Sequence, residues 1–224
     1  MYHPSLASGF RTLIIPFVLA ALLPVIVSAQ QLRLVDDQTA IDPTAYRAYY
    51  GKLTGEPQVF TFTISEETPV MFVLAVPDVP GAKTDISATL TDAAHPGGLF
   101  LTADGGLVEW QRFFDTAGRD SYLAGPTLET NLPPGEYRIQ VSNAADDASY
   151  VLIVSGKDSF SLLETFHRYG TLPAIKSEFF GKSAAEAYLT PLLLWPIFAV
   201  LILAALILFI LLIIRRRATQ ALLP

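Results

Sequence analysis

Apolar positions along this chain follow three different patterns, and each predicts a different kind of element. Between Ala48 and Val154 the period is two: Phe60, Phe62 and Ile64 are separated by Thr61 and Thr63, which gives a strand one buried and one solvated face. Val70 to Val76 is apolar throughout and predicts a strand covered on both sides. Ile86, Ala88 and Leu90 resume the alternation before the turn His95-Pro96-Gly97-Gly98. Leu99 to Leu101 and Leu107 to Phe113 flank Ala103-Asp104-Gly105-Gly106, whose Asp-Gly pair predicts a tight hairpin with positive φ. Leu128 to Leu132, then Tyr137, Ile139 and Val141, then Tyr150, Leu152 and Val154 complete seven to nine short antiparallel strands. With no helix-period segment among them, they predict a mainly β ectodomain, an antiparallel β-sandwich of jelly-roll type.

From Asp158 to Thr190 the pattern changes. Ser161-Leu162-Leu163-Glu164 and Ser183-Ala184-Ala185-Glu186 both fit the capping box that starts a helix, so two short helices are expected. Leu172, Ile175, Phe179 and Phe180 lie near helical spacing between them, with Lys176 and Lys182 at the edges. Such a segment either lies in the headgroup plane of a bilayer or packs on the sandwich as a collar.

The third pattern is continuous. Twenty-three residues without a charge, Leu192 to Ile214, run into Arg215-Arg216-Arg217. As a helix they reach about 35 Å, enough to cross a hydrocarbon core of about 30 Å with some tilt. The Arg triplet predicts a cytoplasmic C-terminus and an extracytoplasmic N-terminal domain. Tyr188 and Trp195 fall at the outer interface, and Pro191 and Pro196 predict a kink there. The span carries no ionisable residue and no Gly-x-x-x-Gly, which argues against a proton relay, a pore or strong helix pairing. A second run, Leu13 to Val27, follows Arg11 and precedes Val27-Ser28-Ala29, the small residues of a signal-peptidase site. The organisation expected is a signal peptide over 1–29, a sandwich over 30–157, a juxtamembrane helical segment over 158–190, a transmembrane helix over 191–214 and a cytoplasmic tail over 215–224.

Composition narrows the picture. The hydrophobic fraction of 51% is raised by the two apolar runs, and the rest reads as one ordinary domain. There is no cysteine, so a domain exported to a disulfide-permissive compartment must be held by its core. Neither Asn131 nor Asn143 begins a glycosylation sequon, and with the missing cysteines this favours a bacterial or archaeal surface. A net charge of −6 without a basic stripe excludes nucleic acid as partner.

The strongest local motif is Leu132-Pro133-Pro134-Gly135-Glu136-Tyr137-Arg138-Ile139-Gln140-Val141, followed by Ala148-Ser149-Tyr150-Val151-Leu152-Ile153-Val154. Proline presets φ and Gly135 is expected to take a positive φ as the chain reverses into the next strand. With Tyr50-Gly51-Lys52-Leu53-Thr54-Gly55 leading into Val59-Phe60-Thr61-Phe62, this arrangement resembles the bacterial pre-peptidase C-terminal domain over about Ala48 to Gly156. The resemblance implies a jelly-roll-like sandwich with a binding or accessory role, and it transfers no catalytic residue. This chain lacks the peptidase domain that usually accompanies it.

Candidate chemistry is sparse. His95 and His167 have no second ligand at metal spacing, no Gly-x-Ser-x-Gly occurs, and no cofactor motif is present. Asn143, Asp146 and Asp147 form the best oxygen cluster for calcium, although they lack a spaced ligand series. Trp110, Phe113, Phe114 and Tyr122 gather near Asp115, Arg119 and Asp120. Aromatic platforms beside carboxylates suit a sugar or peptide, and Trp110, Tyr122, Asp115 and Asp120 are the candidate binding residues; core packing is the ordinary alternative. Two function classes follow: a non-enzymatic anchored module for a protein, peptide or glycan partner, or an envelope hydrolase with an unrecognised carboxylate pair.

Overall fold

The computed structural model describes residues 31–36, 39–95, 100–156 and 162–221. The signal-peptide reading, the Ser161 cap and the Pro96-Gly97-Gly98 turn lie outside them. The described strands are β1 (Gln31–Leu34), β2 (Arg47–Lys52), β3 (Gln58–Ile64), β4 (Thr68–Pro77), β5 (Ser87–Asp92), β6 (Phe100–Ala103), β7 (Gln111–Asp115), β8 (Asp120–Leu132), β9 (Gly135–Ser142) and β10 (Ser149–Ser155). They form a six-stranded sheet in the order β1-β2-β10-β4-β8-β7 and a four-stranded sheet in the order β3-β9-β5-β6. All pairings are antiparallel except β1 with β2.

Alternation along each strand sends one row inward. Tyr49, Phe72, Leu74, Tyr150, Leu152 and Val154 of the larger sheet meet Phe60, Phe62, Leu90, Tyr137, Ile139 and Val141 of the smaller one in a single core. Rings join the layers directly, with Phe62 and Phe72 centroids 5.8 Å apart. Each such side chain contributes about 1.5 to 3 kcal/mol by leaving water, which explains how the domain holds without a disulfide.

Three local expectations need correction. The residues after Ala103 do not form a hairpin, because β6 and β7 belong to different sheets. The chain instead crosses between layers through a 3-10 turn, Gly105–Leu107, capped by the Asp104 carboxylate, which accepts from the Gly106 amide at 2.8 Å. Gly105 is needed for close approach: a Cβ there would run into the Ile86 carbonyl oxygen. Gly135 is not among the positive-φ glycines, and it begins β9 in extended form. The turn before it is closed by the Tyr137 hydroxyl, which donates to the Pro133 carbonyl at 2.8 Å. β8 starts at Asp120, well before Leu128, because Gly125 and Pro126 form a bulge inside one strand at the register shift opposite Val73 and Ala75. Gly105→Ala should therefore cost about 1 to 3 kcal/mol by forcing backbone apart. Gly135→Val should cost under about 1 kcal/mol, since its Cβ would only reach ordinary contact with the Tyr137 ring, 3.4 Å away. Denaturant melts of the two variants in detergent would rank them, and a reversed order would mean that the crossover is misplaced.

Beyond the sandwich runs α1 (Leu162–Phe180), the first of the two expected helices, which is longer than expected at 19 residues and contains Pro173. The Ser183 box does form: its hydroxyl accepts from Ala185, and Glu186 accepts from the Ser183 amide at 3.2 Å, starting a 3-10 turn over Ala184–Leu189. Helix α1 packs on the outer face of the six-stranded sheet, burying Leu172, Ile175, Phe179 and Phe180. These belong to a compact unit, Ser28–Thr190. The other unit contains α2 (Pro191–Ala221), whose stretch Pro191–Arg215 is long and apolar enough to cross a membrane, with a mean hydropathy of 3.6.

Candidate functional site

The hairpin joining β7 to β8 organises the candidate residues. Register pairs Phe113 with Tyr122 and Asp115 with Asp120, so these four share the outer face of the six-stranded sheet, the face that α1 covers in part. Asp115 shapes the turn itself: its two carboxylate oxygens accept from the Ala117 amide at 3.0 Å and the Gly118 amide at 2.8 Å. Arg119 completes the reversal with φ 59, a left-handed conformation that is costly outside glycine.

Asp120 is wholly buried and bonded to two lysines. Lys176 of α1 lies 2.6 Å from one carboxylate oxygen and Lys182 lies 2.8 Å from the other. The ammonium groups also donate to the hairpin backbone, Lys176 to the Gly118 carbonyl at 2.5 Å and Lys182 to that of Arg119 at 3.2 Å. Lys176 is only 1% exposed, although the sequence reading set it at the edge of its helix. Its spacing of four after Leu172 and before Phe180 puts it on the apolar stripe, and a lysine there requires a buried acceptor. Asp120 is that acceptor, so the cluster is a latch between helix and hairpin.

Next to the latch lies an aromatic layer. The Tyr50 and Tyr122 hydroxyls share a buried hydrogen bond of 2.7 Å. Burial pushes both phenols well above their ordinary value. Phe179 meets Tyr50 edge-on at 5.4 Å, Phe180 meets Tyr122 edge-on at 5.2 Å, and Phe113 stacks on Tyr122 at 5.1 Å. A cleft of about 250 Å³ opens beside this layer, lined by Tyr46, Tyr50, Phe113, Asp115, Tyr122 and Val151 among others. That volume suits one or two side chains or a single sugar ring, below the usual range of about 300 to 1,000 Å³ for small-molecule pockets.

Of the four candidate residues, Asp115 and Tyr122 line the cleft, while Asp120 and Trp110 stand behind it. Trp110 is half-buried against the core, with its ring over Gly125 and its indole N–H donating to the Gly105 carbonyl at 2.9 Å. The exposed rings are Phe113 and Phe114, at 37% and 57%. Tyr46 and Tyr50 were not among the sequence's candidate site residues; Tyr49 and Tyr50 are adjacent, and only pairing shows which of them faces outward.

The other candidates resolve as local structure. Among Asn143, Asp146 and Asp147, the Asn143 amide donates to Asp85 at 3.2 Å, Asp146 closes its own turn, and Lys83 pairs with Asp147. The hydrogen bond from that ammonium holds the Asp147 carboxyl below its ordinary value. His95 lies 3.1 Å from Asp92. Among the described residues no group of three or more His, Cys, Asp or Glu side chains is placed to hold a metal.

No family model and no curated protein matches the chain. Among solved structures it is similar to the pre-peptidase C-terminal domain of a collagenase from Bacillus anthracis, at 14% identity and a TM-score of 0.34, covering 56% of this chain and 96% of that one. It is also similar to the surface-associated copper-binding protein CorA of Methylomicrobium album BG8, at 9% identity and a TM-score of 0.21, covering 57% of this chain and all of that one. The first of these is the domain type that the turn and strand motifs resemble.

Proposed function

We propose that the chain is a non-enzymatic accessory module, anchored by α2 with its sandwich outside the cytoplasm, that holds a protein partner at the cleft beside β7. The observation that carries this reading is the exposure of Phe113 and Phe114, neighbouring aromatic residues on an edge strand that borders a cleft. As successive strand residues they offer apolar surface on both faces of the edge, and exposed aromatic rings of this kind are characteristic of contact surfaces. The latch supports the same reading. It fastens α1 to the sandwich, and only the residues from Lys182 to Pro191 separate its last lysine from the apolar helix, a reach of at most about 30 Å.

The hydrolase alternative finds no support in the same residues. Asp115 and Asp120 face each other across the hairpin, but Asp120 is buried on two lysines, so the two do not form an exposed acid–base pair.

Two measurements test the proposal on the full chain in its native membranes. Protease added outside intact cells should remove the sandwich and leave a small fragment containing Leu192 to Pro224; full protection would reverse the orientation. A photo-crosslinking amino acid at Phe114 should yield one discrete adduct, and the same group at Thr63 on the opposite sheet should yield none. Equal labelling at the two positions would remove the cleft as the contact site.

A further inference from the structure

We infer that β7 is a docking edge for an extended, cation-bearing peptide segment, which pairs with the strand and lays an Arg or Lys side chain against Phe113 and Asp115. This rests on the cleft reading above and names the partner's chemistry. Two independent observations meet at this strand, one in the backbone and one in the side chains.

The backbone observation is an open edge. β7 pairs with β8 on one side and ends the six-stranded sheet on the other. Its sequence Gln-Arg-Phe-Phe-Asp has no proline, glycine or lysine, and four of its five residues are exposed; among the described residues its edge protection is limited to its shortness and to Arg112, whose charge Asp78 neutralises. The opposite edge, β1, lies under α1. In the smaller sheet β3 is also an edge, but its outward side chains are Val59, Thr61 and Thr63, which offer neither charge nor ring. An added strand on β7 would gain backbone hydrogen bonds for affinity and alternate side-chain sites for selectivity.

The side-chain observation is the sign of the cleft. Phe113 and Asp115 point to the outer face, and among the described residues Asp115 is the only charged one in the lining. Its two oxygens each accept one backbone N–H, which leaves further lone pairs for a guanidinium or ammonium. The aromatic layer already holds cations in this way: Lys52 lies 5.1 Å from the Phe179 centroid and Lys182 lies 5.6 Å from that of Phe180. Phe113 is the next ring in that layer, stacked on Tyr122 and open to solvent. On the other face Arg112 is held by Asp78 at 2.6 Å, so the inner side of an added strand would meet Phe114 and favour an apolar residue. The pattern required of the partner is thus alternating, cationic toward Phe113 and Asp115 and apolar toward Phe114.

The full chain in lipid nanodiscs would be titrated with fluorescein-labelled acetyl-Thr-Val-Arg-Val-Arg-Val-Thr-amide and followed by anisotropy and amide hydrogen exchange. The expected result is saturable binding with slowed exchange in β7. Replacing both Arg by Gln should weaken it at least tenfold, and N-methylating alternate peptide amides should abolish it. These changes leave the protein untouched, so a folding defect cannot imitate them. Asp115→Asn and Phe113→Leu should each weaken binding at least fivefold, measured at a temperature where melts show both variants fully folded. Equal binding of the Arg and Gln peptides, protection at β3 instead of β7, or indifference to N-methylation would overturn the inference. So would a dimer through this edge, revealed by a disulfide between copies of Phe114→Cys, the sole cysteine in such a chain. If the peptides fail while the Phe114 crosslink to a partner persists, the cleft stands as a contact site and only the cationic strand is wrong. If both fail, the site itself is wrong.

Discussion

Asp120→Ala should lower the stability of the sandwich by about 3 to 5 kcal/mol, because it strips a buried lysine of its counter-charge. Lys176 is enclosed by the sheet and by its own helix, and the Gly118 carbonyl alone would then face its ammonium. Relief requires α1 to lift off the hairpin so that Lys176 reaches water. That also exposes Phe179 and Phe180, so hydrogen exchange should quicken throughout α1. Asp120→Leu combined with Lys176→Met and Lys182→Met should recover most of the loss, since removing every partner of a buried ionic cluster is far milder than removing one. Urea melts of the full chain in detergent would separate these outcomes. A single variant that melts like the parent would show that the latch is open in solution.

How far such a latch can be read from sequence depends on what each residue type reveals by itself. The strands were legible because period two survives without knowledge of neighbours, and Phe60, Phe62 and Ile64 enter the core as their spacing requires. The sheet order was not, because pairing is decided by contacts between distant segments. For that reason Ala103-Asp104-Gly105-Gly106 reads as a hairpin and turns out to be a crossover, with Gly105 fixed by the approach of Ile86. Gly125-Pro126 likewise reads as a break, and only the partner strand shows it to be a bulge. At the candidate site the sequence singled out residues in and beside the β7–β8 hairpin. It gave no means of dividing that hairpin into faces, since Tyr122 owes its burial to α1, some fifty residues downstream. Lys176 was the available clue, a cation on an apolar stripe that called for an acid across the interface.

Tyr122 supplies the second large effect. Tyr122→Ala should cost about 3 to 5 kcal/mol, the range for truncating a buried aromatic, because the ring carries Phe113 on one side and Phe180 on the other. Tyr122→Phe isolates the hydroxyl. It leaves the Tyr50 hydroxyl buried without its partner and should cost about 1 to 3 kcal/mol, as should Tyr50→Phe. The double variant should cost less than the sum of the two, because no polar group is then left stranded. The same pair sets a pH limit. Burial raises both phenols above the unfolded value of about 10, so their contribution is complete below that pH and is lost as the pH rises toward their folded values. Phenolate absorbance should therefore lag for these tyrosines and appear together with alkaline unfolding. A Tyr122→Ala chain that melts like the parent but fails to form the Phe114 crosslink would make this ring a contact residue. A chain that unfolds would make it the floor on which Phe113 is held out for the partner.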